Sequence, residues 1–517
     1  MHFSRLQKTI TSQLTYDSVP LVFVEKNRFL GLIWDRKLSW EPHIISTRSR
    51  ALSALNALKM VSNKKWGVRR ESLLLFYKSY VLPIFDYGSV VYSSAKDKFL
   101  NKLNTVHHLG IRIATGAYRS SPVESLYVES GIPPLSLRRE KLIVNYVSKI
   151  AASPFNPVKN ILFSPLNTTG FSVHKPKPLA FRYRDILPFR YHLASSEILP
   201  FSRDVPPWFG KEDLPLVDTE LCAFKKAETP PQVYKQKFLQ KMNDGFQNHT
   251  KVYTDGSKDE NGVGCAFTIP DRNIVKKYSL NKDASIFHAE LYAILQSLIM
   301  IIDMSMEKAI IITNSLSCLQ ALVKLGHPNP LVQKIQSLFT SYQAEIKFFW
   351  CPSHVGIAGN ESADKLAKEA INMNNIAHSE LFVDEIKVII KKSLFEDWNH
   401  SWFNTSPHDN KLRAIKNSVS KWKTSFQKSR LDEVCLMRLR VGHCNYFTHV
   451  YLFKKEDRPM CCNEPVTVEH ILMKCPRLRF RPSNFPLSSV PEILKNDPDS
   501  VNVVMRFLKK DNFMRMI

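Results

Sequence analysis

A chain of 517 residues is too long for one ordinary core and implies roughly two to four domains; a hydrophobic content of 44% lets most of it fold. Its 72 Lys and Arg against 47 Asp and Glu leave a formal net charge of +25, spread along the chain as expected of surfaces that meet phosphates. Nine cysteines, an odd number, argue against a disulfide framework. The opening MHFSRLQKTI lacks the apolar run of a secretory signal, and no segment approaches the roughly 18–20 uninterrupted apolar residues of a membrane helix, so the chain reads as soluble and intracellular.

Residues 1–150 combine short strand-like pieces with long helical patterns. FLGLIWDRKLSWEPHI, residues 29–44, predicts a strand leading through a turn into a helix. In ESLLLFYKSYVLPIFDYGSVVY, residues 71–92, Leu73, Phe76, Tyr77 and Tyr80 fall at helical spacing, and Pro83 is expected to end the run. Lys64, Lys65, Arg69 and Arg70 form a basic cluster, read first as a solvated face and second as a phosphate contact. Residues 151–249 hold 12 of the 30 prolines, including Pro206-Pro207 and Pro230-Pro231, and read as a connector with local structure.

At Lys251 the texture changes. KVYTDGSK, GVGCAFTIP and NIVKKYSL read as three strands of a meander, followed by a helix over 285–302. The strand KAIIITN, the helices SLSCLQALVKL and LVQKIQSLF, the strand EIKFFWC and the helix ESADKLAKEAI then alternate. That order predicts an α/β mixed sheet flanked by helices over 250–375. A basic region, 376–517, is expected to be small and helical.

Three acidic residues are misplaced for a plain core. Asp255 ends the first strand, Glu290 interrupts the apolar stripe of its helix, and Asp364 lies four residues after Asn360, the expected helix cap. A carboxylate directed into an apolar stripe needs a cation or dense hydrogen bonding to stay ionised. Together, on strand ends and helix starts, the three point to a metal site.

The motifs YTDGS, HAELYAI, the strand carrying TNS, and SHVGIAGNESADKLA resemble, in order and spacing, those of a type-1 ribonuclease H domain. The resemblance implies a ribonuclease H-like fold and two Mg2+ ions that hydrolyse the RNA strand of an RNA–DNA hybrid. It places Asp255, Glu290, position 314 and Asp364 as metal ligands and gives His354 a part in proton transfer or product release. The departure is Asn314, where the family carries Asp. An amide oxygen ligates magnesium as a dipole where a full charge is expected, which predicts normal folding, retained hybrid binding and sharply reduced cleavage. The alternative is a weak or inactive nucleic-acid-binding module.

The flanks carry resemblances of their own. FLGLIWDRKLSW, YVLPIFDYGSVVY and ATGAYRSSPVESLYVESGIPPLSLRREKL look like the thumb and connection region of a jockey-like non-LTR retrotransposon reverse transcriptase. No Asp-Asp pair occurs in the chain, so the polymerase motif is missing and no polymerase activity is expected. MCCNEPVTVEHILMKCP, residues 460–476, is similar to a zinc knuckle, with Cys462, His470 and Cys475 at the expected separations. Its first cysteine, Cys461, adjoins Cys462, and adjacent cysteines do not easily span two corners of a tetrahedral Zn2+ site; His443 and Cys444 are alternative fourth ligands.

Overall fold

The computed structural model describes residues 14–163, 197–201, 210–445, 459–476 and 489–510 continuously, with scattered positions elsewhere. Two compact units make up the chain. One comprises Asn145–Leu166 and Ala180–Ile390; the other comprises Met1–Val144, Asn167–Leu179 and Lys391–Ile517.

The first unit is built on a seven-stranded mixed sheet. Its elements in chain order are β1 (Val217–Asp218), α1 (Pro231–Gly245), β2 (Thr250–Lys258), β3 (Val263–Ile269), β4 (Ile274–Leu280) and α2 (Ile286–Asp303). There follow β5 (Lys308–Thr313), α3 (Leu316–Leu322), α4 (Pro330–Ser341), β6 (Glu345–Trp350), α5 (Ala358–Ile371) and β7 (Ile376–His378). The strand order is β7-β4-β3-β2-β5-β6-β1, with β2, β3 and β4 antiparallel and the remaining pairings parallel. Every residue of β3 and the run Ala309–Ile312 of β5 are buried, because helices cover both faces and unbroken apolar strands have no solvent side.

Helix α2 is long and apolar enough to cross a membrane by length and composition alone, yet its buried residues run nearly all round it. It is the core helix of this sheet. α5 starts at Ala358, three residues earlier than its sequence pattern predicts. Asn360 is therefore not the cap; it lies inside the first turn, buried, and accepts from the Cys351 thiol at 3.4 Å.

The Pro-rich stretch read as a connector contributes both β1 and α1 to this unit. Pro231 sits in the first turn of α1, where a missing N–H leaves nothing unsatisfied. Tyr234, Phe238, Met242 and Phe246 then bury one face, with the Phe238 and Phe246 rings 5.8 and 6.1 Å from that of Phe349. Pro206-Pro207 lie outside the described residues.

In the second unit a hairpin, Lys26–Phe29 with Leu32–Asp35, leads into the helix Glu41–Met60. Pro83 does not end the following run. A π-helical turn, Tyr77–Val81, places Pro83 near the start of the next helix, Leu82–Asp86, and the chain stays helical to Asp86. The extra residue in that turn also shifts the buried stripe: Leu73, Tyr77 and Val81 are buried, while Tyr80 is exposed. Ile44, Leu55, Tyr77, Leu103 and Leu126 share one core with Trp402, Leu412, Met437 and Val441. The N-terminal and C-terminal regions, read from the sequence as separate, thus pack together. Arg70, read as part of a solvated basic face, is fully buried and paired with Glu129 at 3.1 Å.

Candidate metal centre

β2 and β5 run parallel with Thr254 opposite Thr313, so Asp255 and Asn314 emerge side by side at the carboxyl end of the pair. Open α/β sheets leave their crevices there. Asp255 is 3% exposed. Its Oδ1 accepts from the Gly256 amide at 2.8 Å, and its Oδ2 accepts from Asn314 Nδ2 at 3.0 Å. Trp350 Nε1 donates to the Asn314 carbonyl at 3.0 Å and fixes the backbone from the next strand.

Glu290 arrives on α2, which packs against the β2 backbone because Gly256 has no side chain. A Cβ there would stand 2.8 Å from the Glu290 nitrogen and 2.9 Å from the Ala289 Cβ. Glu290 is buried beside Asp255, close enough to feel its charge, and its Oε2 has no partner. Burial, with the Asp364 charge adding to it, pushes the Asp255 carboxyl up to about 6 against the hydrogen bonds from Gly256 and Asn314. Burial, followed by the Asp255 charge, pushes Glu290 well above the carboxylate range. A buried carboxyl oxygen without a donor beside a second carboxylate is a donor set suited to a hard cation.

The sign of the pH dependence follows. A carboxyl whose folded pKa is raised binds more protons folded than unfolded, so the metal-free protein loses stability as pH rises from about 4 through about 6. A cation must displace the same protons. Mg2+ affinity is therefore expected to rise across pH 5–7 with proton release, which calorimetry in buffers of different ionisation enthalpy measures.

Asp364, in the second turn of α5, acts on Asp255 and Glu290 through its charge, while its own Oδ2 accepts from Lys368 Nζ at 2.6 Å. His354 is exposed, at φ +57° on the loop between β6 and α5. That loop is held at both ends: Lys226 Nζ donates to the Ser353 carbonyl and hydroxyl at 3.0 and 3.1 Å, and the Gly356 amide donates to Glu361 at 2.8 Å. Asp255 and Asn314 are therefore joined directly, Glu290 and Asp364 are coupled to Asp255 through their charges, and no described contact joins His354 to the carboxyl groups. Sequence reasoning missed the supporting residues Trp350 and Lys226, whose contacts exist only once distant segments meet.

A second cluster lies in the other unit. The ligand atoms of Cys461, Cys462, His470 and Cys475 all fall within 4.8 Å of one another. The adjacency of Cys461 and Cys462 is no obstacle, because Cys462 and Asn463, at φ +56° and +63°, form the tight turn of a hairpin. Cys461 Sγ stands 3.6 Å from Cys462 Sγ and 3.7 Å from Cys475 Sγ. His470 Nδ1 lies 3.2 Å from the Glu464 carboxylate and its buried Nε2 has no partner, as a ligand awaiting an ion would be. His443 and Cys444 are outside this group.

Residues 247–372 match the family model described as RNase H. A curated relative, the "Retrovirus-related Pol polyprotein from type-1 retrotransposable element R1" of Nasonia vitripennis, is 25% identical over 117 residues. That stretch is 22% of this chain and 35% of the relative.

Proposed function

We propose that this chain, whose residues 247–372 form an RNase H domain in a sequence related to retrotransposon Pol polyproteins, is an RNA–DNA hybrid ribonuclease of low turnover. The observation that carries the proposal is the meeting of Asp255 and Asn314 where the β2–β5 pairing ends, beside buried Glu290 with one unpartnered carboxyl oxygen and within reach of the Asp364 charge. Asp255, Glu290 and Asp364 would hold two magnesium ions. Bound there, magnesium supplies the charge that activates water and stabilises the leaving oxygen of a phosphodiester. Asn314 offers a cation at most a neutral amide oxygen, while its amide nitrogen donates to Asp255. His354, exposed on the rim, is assigned proton transfer or product release. No polymerase step is assigned to this chain.

A binding module with little turnover is the second reading, and the hydrogen bond from Asn314 to Asp255 favours it, because that bond occupies a ligand oxygen. The test compares binding and cleavage on one RNA–DNA hybrid. D255N is expected to abolish Mg2+-dependent cleavage and leave hybrid affinity within about twofold at fixed salt, since affinity rests on phosphate contacts made elsewhere. A D255N variant that cleaves at the parental rate ends the nuclease reading. Hybrid binding without any Mg2+-dependent cleavage by the parent selects the second.

The cysteine–histidine cluster is assigned one Zn2+ ion. Without a metal, burial and the neighbouring Cys462 and Cys475 push the Cys461 thiol up to about 11, a crowding that a cation relieves. The purified chain is expected to contain about one zinc ion, and C475S to lose it and to unfold the surrounding region at lower denaturant. Elemental analysis showing zinc retained in C475S would sink the assignment.

A further inference from the structure

Helix α2, which delivers Glu290, is capped by Ser285, whose hydroxyl accepts from the His288 amide at 3.2 Å. Ser285 is itself held by Glu385, a residue beyond the family-matched segment, in the first turn of the helix Val383–Phe403. Glu385 Oε1 accepts from the Ser285 amide at 2.6 Å and from its hydroxyl at 2.7 Å. Glu385 Oε2 accepts from the Phe382 amide at 2.8 Å and pairs with His288 Nδ1 at 3.0 Å. His288 is wholly buried, Glu385 is 6% exposed, and the Phe382 ring stacks on the imidazole with centroids 4.0 Å apart. A negative charge at the start of α2 also complements the helix dipole.

This anchorage lies close to the chemistry. Glu290 follows His288 by two residues and Ser285 by five. The close approach at Gly256 leaves the start of α2 no slack against the strand that carries Asp255. We infer that Glu385 is a positioning residue: by fixing Ser285 and His288 it sets where Glu290 stands relative to Asp255. Its functional meaning rests on the nuclease reading above. The inference extends the working site past residue 372 to a helix whose own sequence carries no motif of the reaction.

The test uses the full-length protein with E385A and E385Q. Amide hydrogen exchange across residues 284–292 reads the anchorage, and Mg2+ binding by calorimetry reads its consequence. E385A is expected to raise exchange in that stretch about tenfold, leave β3 and β5 protected, and weaken Mg2+ binding about tenfold. E385Q, whose amide oxygen still accepts from Ser285, is expected to fall between E385A and the parent, and it decides the question if E385A does not fold. Parental exchange and parental Mg2+ affinity in either folded variant overturn the inference, as does loosened exchange with unchanged affinity. Should the parent bind no Mg2+ while the variants still loosen 284–292, the nuclease reading fails and the anchorage stands.

Discussion

N314D is expected to raise Mg2+-dependent cleavage of an RNA–DNA hybrid about a hundredfold, with little change in hybrid affinity. In the parent, Asn314 donates a hydrogen bond to Asp255 at 3.0 Å, which steadies the metal-free site and ties up a carboxylate oxygen. The substitution removes that donor and adds a charge. A unit charge about 5 Å from another interacts by roughly 3 kcal/mol at an effective dielectric of about 20. That energy, applied as attraction for a cation, corresponds to roughly two orders of magnitude in rate or affinity. The same charge repels Asp255 and Glu290 when no cation is present, so N314D should also be less stable without Mg2+ and gain more on adding it. Single-turnover cleavage of a labelled hybrid, beside thermal melts with and without Mg2+, measures both. Equal cleavage by parent and N314D would mean that the amide is not what limits this site.

E129Q is expected to destabilise its unit by about 3–5 kcal/mol, the usual consequence of breaking a buried ion pair from one side. The Glu129 side chain has no exposure, accepts from Arg70 at 3.1 Å and Ser425 at 2.8 Å, and lies 3.8 Å from Arg440. Lys416, also buried, is close enough to be felt. Burial pushes the carboxyl up, but Arg70, then Arg440 and Lys416, outweigh it and hold it down at about 2. Neutralising it leaves three buried cations without their shared anion. Because the folded pKa is depressed, the stabilisation is full above about 4.5 and is lost as pH falls towards about 2. The parent should therefore weaken steeply in acid while E129Q changes little over that range. Guanidinium unfolding at pH 7 and pH 3 checks both statements, and an unchanged midpoint in E129Q at pH 7 would contradict them.

The two variants probe features of different legibility. The sheet module could be read from the chain because its strands are apolar runs that acidic residues interrupt: Asp255, expected to end its strand, stands inside Thr250–Lys258, and Glu290 breaks the apolar stripe of its helix. The substitution at Asn314 was equally visible, since it needs only a motif and a residue type. That the amide donates to Asp255 depends on the register of two strands some sixty residues apart, which local pattern does not encode.

Other features belong wholly to the tertiary structure. Arg70 looks like any member of a surface basic cluster until Glu129, Ser425 and Arg440, from segments up to several hundred residues away, close around it. Pro83 carries the usual sign of a helix end, and only a π turn accommodated by packing lets the helix continue. The adjacent Cys461 and Cys462 look unfit for one ion until a left-handed turn brings their sulfurs onto the same cluster. Hydrophobic spacing and residue chemistry, which act over one or two turns of chain, determined the elements and the reactive groups. Which charges are buried together, which carboxylate is tied and which helix start is anchored follow from long-range packing and its low dielectric, and only the assembled fold decides them.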